Sequence, residues 1–108
     1  MPKQVVFSAE ANPPLPIYSQ AIISGKTVYV SGSIGCTRDL VLVEGGVQAQ
    51  TRAALDNMKK ILIAAGSGLE HVLKANYFPT NPPARTCIGV AALPLGADVE
   101  IECIAELP

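Results

Sequence analysis

Residues 47–65 carry the pattern that most limits what this chain can become. Apolar residues fall at Val47, Ala54, Leu55, Met58, Ile61, Leu62 and Ala65, close to a 3.6-residue period. Gln48, Arg52, Asp56, Lys59 and Lys60 lie mainly on the other face. Asp56 and Lys60 form an i,i+4 pair in the favourable order, and Gly66 suits a helix stop. Ile63 falls off the stripe, either exposed or against a neighbour. This is the one convincing helix. A single apolar stripe must be buried, and the segments around it read as strands, so the sheet is its only partner. The expectation is an α+β fold, one helix packed on one face of a sheet. At 108 residues with 49% hydrophobic content, the chain is expected to form a single domain, residues 1–108, with a real core.

The strands follow from local pattern. Gln4 to Phe7 reads as a short strand, and Ala11 to Pro16 as a proline-rich loop, because each proline removes a donor and restricts its predecessor. Ala21 to Ile23 and Thr27 to Val30 flank the tight turn Ser24-Gly25-Lys26 as a hairpin. Ser31 to Gly35 ends that strand in small residues. A glycine there marks a bulge or a close backbone approach, or else simply a strand exit. Cys36 to Gly46 is a loop with a short extended piece at Leu40 to Val43. Val72 to Phe78, Arg85 to Leu93 and Asp98 to Leu107 supply three further strands, the last two joined by Pro94 to Ala97. In the final strand Val99, Ile101, Cys103 and Ala105 alternate with Glu100, Glu102, Ile104 and Glu106. One face is therefore apolar and core-facing, the other mostly acidic.

Composition excludes several classes. The net charge is -1 and the eight Lys and Arg are scattered, which argues against a nucleic-acid surface. Aromatics are 5%, too few for a stacking platform. Cys36, Cys87 and Cys103 are odd in number and lack C-x-x-C spacing, so they form neither a disulfide framework nor a zinc site. The N-terminal residues carry no apolar signal core and no Arg-rich presequence, and no apolar run reaches the roughly 18 residues of a membrane span. A cytoplasmic protein with no membrane contact is expected, a mitochondrial one being the other possibility. His71, the only histidine, follows Glu70 at a strand start and reads as a surface or core residue.

Chemistry gathers towards the C-terminus. Arg85 and Cys87 open one strand, and Glu100, Glu102 and Glu106 line the next. A guanidinium fork beside acidic groups on a rigid sheet is a site for a small carboxylate. Arg85 also has a structural reading, an ion pair with Glu106.

Six segments in order sharpen this: Tyr18-Ser19-Gln20-Ala21, Val30-Ser31-Gly32, Gln50-Thr51 with its helix, Ala64-Ala65-Gly66-Ser67, Pro83-Ala84-Arg85-Thr86-Cys87 and Val99-Glu100-Ile101-Glu102. Together they resemble the RidA family of reactive-intermediate imine deaminases. The resemblance implies a chorismate-mutase-like mixed β-sheet with helices on one face, a homotrimer, and sites in the clefts between subunits. It implies hydrolysis of 2-imino acids and their enamines to 2-keto acids and ammonia, without metal or cofactor. Carried over residue by residue, Arg85 holds the substrate carboxylate and Glu100 places the water. Tyr18, Ser31 with Gly32 behind it, and Cys87 form the wall. Cys87 has no adjacent base to make it a thiolate, which favours lining over nucleophilic attack. Two other readings stand beside imine hydrolysis: a non-catalytic binding protein for small carboxylates on the same fold, and an endoribonuclease.

The chain departs from the family in one place. A second helix with a pocket asparagine is expected between the strand containing Lys74 and Arg85, and about twenty residues are absent there. Pro79 to Pro83 spans at most roughly 18 Å, too short to return along a seven-residue strand as a parallel crossover needs. Three outcomes are open: the segment around Asn76 is not a full strand, the last two strands are exchanged between chains, or residues are deleted or omitted from the sequence while the remainder keeps the family sheet. If Pro94 to Ala97 closes a hairpin, Glu106 faces Arg85 and Glu100 faces Ala91. Arg85 and Glu100 then lie roughly 20 Å apart, so they meet only between chains or through a bulge.

Overall fold

The computed structural model describes residues 2–14, 16–77 and 92–108. Among these residues the chain forms β1 (Gln4–Val6), β2 (Ala21–Ser24), β3 (Thr27–Ser33), the helix α1 (Gly46–Ala64), β4 (Val72–Tyr77) and β5 (Ile101–Glu106). Single turns of 3-10 helix at Leu69–His71 and Pro94–Gly96 lead into β4 and towards β5. The expected strand from Arg85 to Leu93 falls mainly outside the described residues.

The five strands make one sheet in the order β1-β2-β3-β5-β4. The four pairings among the described residues are all antiparallel, where the resemblance implies a mixed sheet. The α+β architecture is as the helix stripe requires: α1 lies across β3 and β5 on one face. The first hairpin closes with Ser24 opposite Thr27 around Gly25-Lys26. The extended piece at Leu40 to Val43 is real but minimal, a bridge between Cys36 and Leu42.

The helix buries Ala54, Met58, Ile61 and Leu62, as its period predicts. Its stripe is narrower than expected. Val47 and Leu55 are 44% and 39% exposed, while the polar Gln50 and Asn57 are buried in line with the stripe. They are tolerated because each is bonded: Asn57 Nδ2 donates to the carbonyls of Ile34 and Cys36 at 3.3 and 2.9 Å. Ile63 is exposed. The helix ends as the sequence proposes. Gly66 adopts φ +89, its N–H donates to Ile63 O at 3.0 Å, and the Ser67 N–H donates to Leu62 O at 2.8 Å. That pair of bonds is the Schellman stop, which needs a left-handed residue at this point. Opposite α1, the core takes Val28 and Val30 from β3, and Ile101, Cys103 and Ala105 from β5, with Val99 just before it.

The proposed last hairpin is corrected by the register. Over Ile101–Glu106, β5 has β3 on one side, with Thr27 opposite Glu106, and β4 on the other, with Tyr77 opposite Ile101. Both edges are taken from Ile101 to Ala105, so the hairpin register that set Glu106 opposite Arg85 and Glu100 opposite Ala91 cannot run along this strand; Arg85 and Ala91 themselves lie outside the described residues. The 20 Å separation computed from that pairing falls with it. The hairpin was inferred from a four-residue turn alone, and adjacency in sequence does not fix adjacency in a sheet. The region around Asn76 is a full strand, which removes one of the three alternatives for the linker.

Candidate functional site

The site begins with an irregularity in β3. Val30 pairs with Cys103, but the next pair is Ser33 with Ile101, so three steps on β3 match two on β5. The extra residue is a bulge at Ser31-Gly32, which re-aims the strand where it leaves the sheet. Gly32 is also a close approach. A Cβ built on it would stand 2.6 Å from Cδ and Oε2 of Glu100. Only glycine leaves room for that carboxyl. Both features were anticipated for a glycine here, and the plain strand exit is excluded.

Glu100 is half-buried on the face of the strand away from the helix. Burial raises its pKa above the ordinary 4.5, and the Glu102 carboxylate adds to the rise. A carboxyl in this state is closer to neutrality in proton affinity than an exposed one, which suits proton transfer.

Gly32 also lines a narrow crevice of about 10 Å³, room for about one water, together with Asn12, Pro13, Pro14, Tyr18, Gln20, Ser31, Ser33 and Ile61. Tyr18, Ser31 and Gly32 therefore meet at its wall, and Gly32 also stands against Glu100, which does not line the crevice. Arg85 and Cys87 lie outside the described residues. Ser31 is held in place: its hydroxyl donates to Ser19 O at 2.6 Å and its N–H to Gln20 O at 3.0 Å. With its proton committed, Ser31 shapes the wall.

The sequence names, but assigns no role to, the residue that builds this wall. Gln20 is 3% exposed. Its Oε1 accepts from the Ser8 N–H at 2.6 Å, and its Nε2 donates to the carbonyls of Ser8 and Asn12 at 3.2 and 2.8 Å. It ties the proline-rich loop to the start of β2. The signal was present as an amide immediately before an apolar strand, but its partners lie 8 to 12 residues away.

The two described cysteines are quiet. Cys103 is buried and its thiol is pushed up to about 11, by desolvation and then by Glu102. Burial also raises Cys36. Neither forms a thiolate readily. His71 sits with Nε2 3.7 Å from Glu70 Oε1, at the entry to β4. Among the described residues no three His, Cys, Asp or Glu side chains cluster as metal ligands would. No helix among them is long and apolar enough to cross a membrane.

Comparison with known proteins fits this geometry. The family model described as Endoribonuclease L-PSP matches residues 9–82 and 75–107. The human 2-iminobutanoate/2-iminopropanoate deaminase is 37% identical over 122 residues, covering 95% of this chain and 89% of that protein. The crystal structure of yeast Mmf1 superposes with a TM-score of 0.92 at 33% identity, covering 99% of this chain and 100% of that one. The structure of E. coli TdcF with bound serine gives a TM-score of 0.87 at 27% identity, over 97% and 99% of the two chains. The alignment with the human protein runs over 122 residues, while 95% of 108 is about 103, so about 19 positions have no residue of this chain. The two stretches matched by the family model overlap at 75–82, so the break in the family pattern falls there.

Proposed function

The chain belongs to the Endoribonuclease L-PSP family, the RidA family that its motifs resemble, and from that premise we propose that it hydrolyses reactive 2-imino acids and their enamines to 2-keto acids and ammonia. The observation that carries this reading is the placement of Glu100: half-buried, raised in pKa, and seated against the bulge glycine Gly32. Relatives named as imine deaminases, at about this level of identity, support it.

In this reading Arg85 holds the substrate carboxylate through a bidentate pair. Water adds to the carbon of the protonated C=N bond, and its proton passes to the Glu100 carboxylate. The carbinolamine then breaks its C–N bond. The proton moves from Glu100 to the departing nitrogen, which leaves as ammonia, while the carbinol O–H returns its proton to the Glu100 carboxylate as the carbonyl forms. Ammonia or solvent water then takes that proton from Glu100, so atoms and charge balance as protonated imine plus water to ketone plus ammonium. Tyr18, Ser31, Gly32 and Cys87 bound the pocket.

Homotrimeric assembly with sites between subunits, and a cytoplasmic location, belong to the same reading. The open face of the sheet supports the assembly. The register aligns Val5, Ile22, Tyr29 and Ile104 in one row across four strands. Val5 and Tyr29 are 66% and 49% exposed. A continuous apolar row on a face that no described helix covers is suited to burial by another copy.

The test is release of ammonia and keto acid from a freshly generated 2-imino acid, with Arg85→Ala alongside. Turnover that collapses in the variant supports the reading. Binding of 2-ketobutyrate without turnover would favour the non-catalytic alternative. RNA cleavage that survives Arg85→Ala at high salt would favour the ribonuclease in the family's description.

A further inference from the structure

Gln50 lies on α1 but faces inward, 6% exposed, although it is polar and half of the molecule away from Glu100 in sequence. Both ends of its side-chain amide bind one residue. Gln50 Nε2 donates to Asp98 Oδ2 at 3.1 Å, and the Asp98 backbone N–H donates to Gln50 Oε1 at 2.8 Å. A two-point contact of this kind fixes orientation as well as distance.

The contact falls where the sheet does not reach. Paired residues of β5 begin at Ile101, opposite Ser33 on β3 and Tyr77 on β4. Residues 98–100 precede the ladder, so the sheet alone leaves Glu100 at a strand end. Three features hold that end. Val99 is fully buried in the core, Ala97 is buried in a second small cluster with Ile34 and Cys36, and Asp98 between them is clamped by Gln50. Gly35 makes the clamp reachable, because a Cβ there would run into the Gln50 backbone. The Gly32 and Gly35 approaches therefore act in series. One admits the helix to Asp98, and the other receives the carboxyl two residues further on.

We infer that Gln50 is a positioning residue for Glu100, holding residues 98–100 through Asp98 so that the carboxyl stays seated against Gly32. The inference rests on the proposed role of Glu100. The Gln50-Thr51 pair belongs to the family pattern, but the sequence alone gives it no task.

The experiment measures steady-state hydrolysis of a freshly generated 2-imino acid across pH, with melting temperature, for the parent and for Gln50→Leu, Asp98→Ala, Asp98→Asn and Glu100→Gln. Gln50→Leu is expected to lower kcat by about ten- to a hundredfold with KM unchanged, because the carboxyl loses its place but the carboxylate grip does not. The acid limb of kcat moves down towards the ordinary glutamate value as a freed Glu100 gains water. Asp98→Asn, which keeps both hydrogen bonds, regains most of the rate that Asp98→Ala loses. That pair carries the test if Gln50→Leu does not fold. A lowered melting temperature with kcat and the acid limb intact would reduce Gln50 to a structural tie and overturn the inference alone. Full activity in Glu100→Gln would overturn the reading of the site, and the inference with it.

Discussion

The two faces of β5 and its approach differ in what burial does. On one face Val99, Ile101, Cys103 and Ala105 are 0 to 4% exposed and packed beneath α1. On the other, one residue away at each step, Glu100, Glu102 and Ile104 are half-buried and Glu106 is exposed. The first face stabilises the protein by removing apolar surface from water. The second removes part of the water from a carboxylate, which raises its proton affinity and costs stability. In the proposed function the same strand and its approach serve as core on one side and as chemistry on the other, and the two can be disturbed separately.

The largest separation is expected for Glu100→Gln. Loss of a general base typically lowers rate by about 10²- to 10⁴-fold, and that range is predicted for imine hydrolysis. Stability should move the other way. Glu100 binds its proton more tightly folded than unfolded, so its contribution favours folding below the ordinary glutamate value and becomes a cost as pH rises through the raised one. Glu100→Gln should therefore melt higher than the parent near pH 7, and the gain should vanish in acid. Thermal unfolding at the two pH values checks this.

Leu62→Ala disturbs the other face. Leu62 is fully buried, and truncation is expected to cost about 3 kcal/mol, read from denaturant unfolding. Gly32→Ala tests the contact between the faces of the site. Its methyl meets the Glu100 carboxyl, and about a tenfold loss of kcat is expected with little change in the melting point, since the clashing group is a side-chain end. The smallest effect belongs to Lys60→Ala. The Lys60–Asp56 pair at 3.0 Å is largely exposed, and its loss should cost less than about 0.5 kcal/mol.

What the sequence made legible follows the range over which each signal acts. The helix, its Gly66 stop, the first hairpin and the alternation of β5 are set within a few residues, and all are found. The identity of the neighbours of β5 is not local. A four-residue connection suggested a hairpin, but the strand inserts between β3 and β4, where its apolar face meets the helix. Glu100 and Gly32 were each named, yet their contact spans 68 positions and depends on a bulge that slides β3 past β5 by one residue. Gln20 and Gln50 stood in the family segments but had no role, for a related reason. A buried amide is defined by its partners, and those of Gln50 lie 48 residues away. Arg85 and Cys87 were found by resemblance, and they lie outside the described residues.

The most direct test of the account is the pH dependence of ammonia release from a 2-imino acid. The rate should fall on the acid side at a pH above 4.5. Glu102→Gln should move that limb downward, because one of the two causes of the raised value is removed, and Glu100→Gln should abolish limb and activity together. A limb at the ordinary glutamate value, or full turnover without the Glu100 carboxylate, would contradict it.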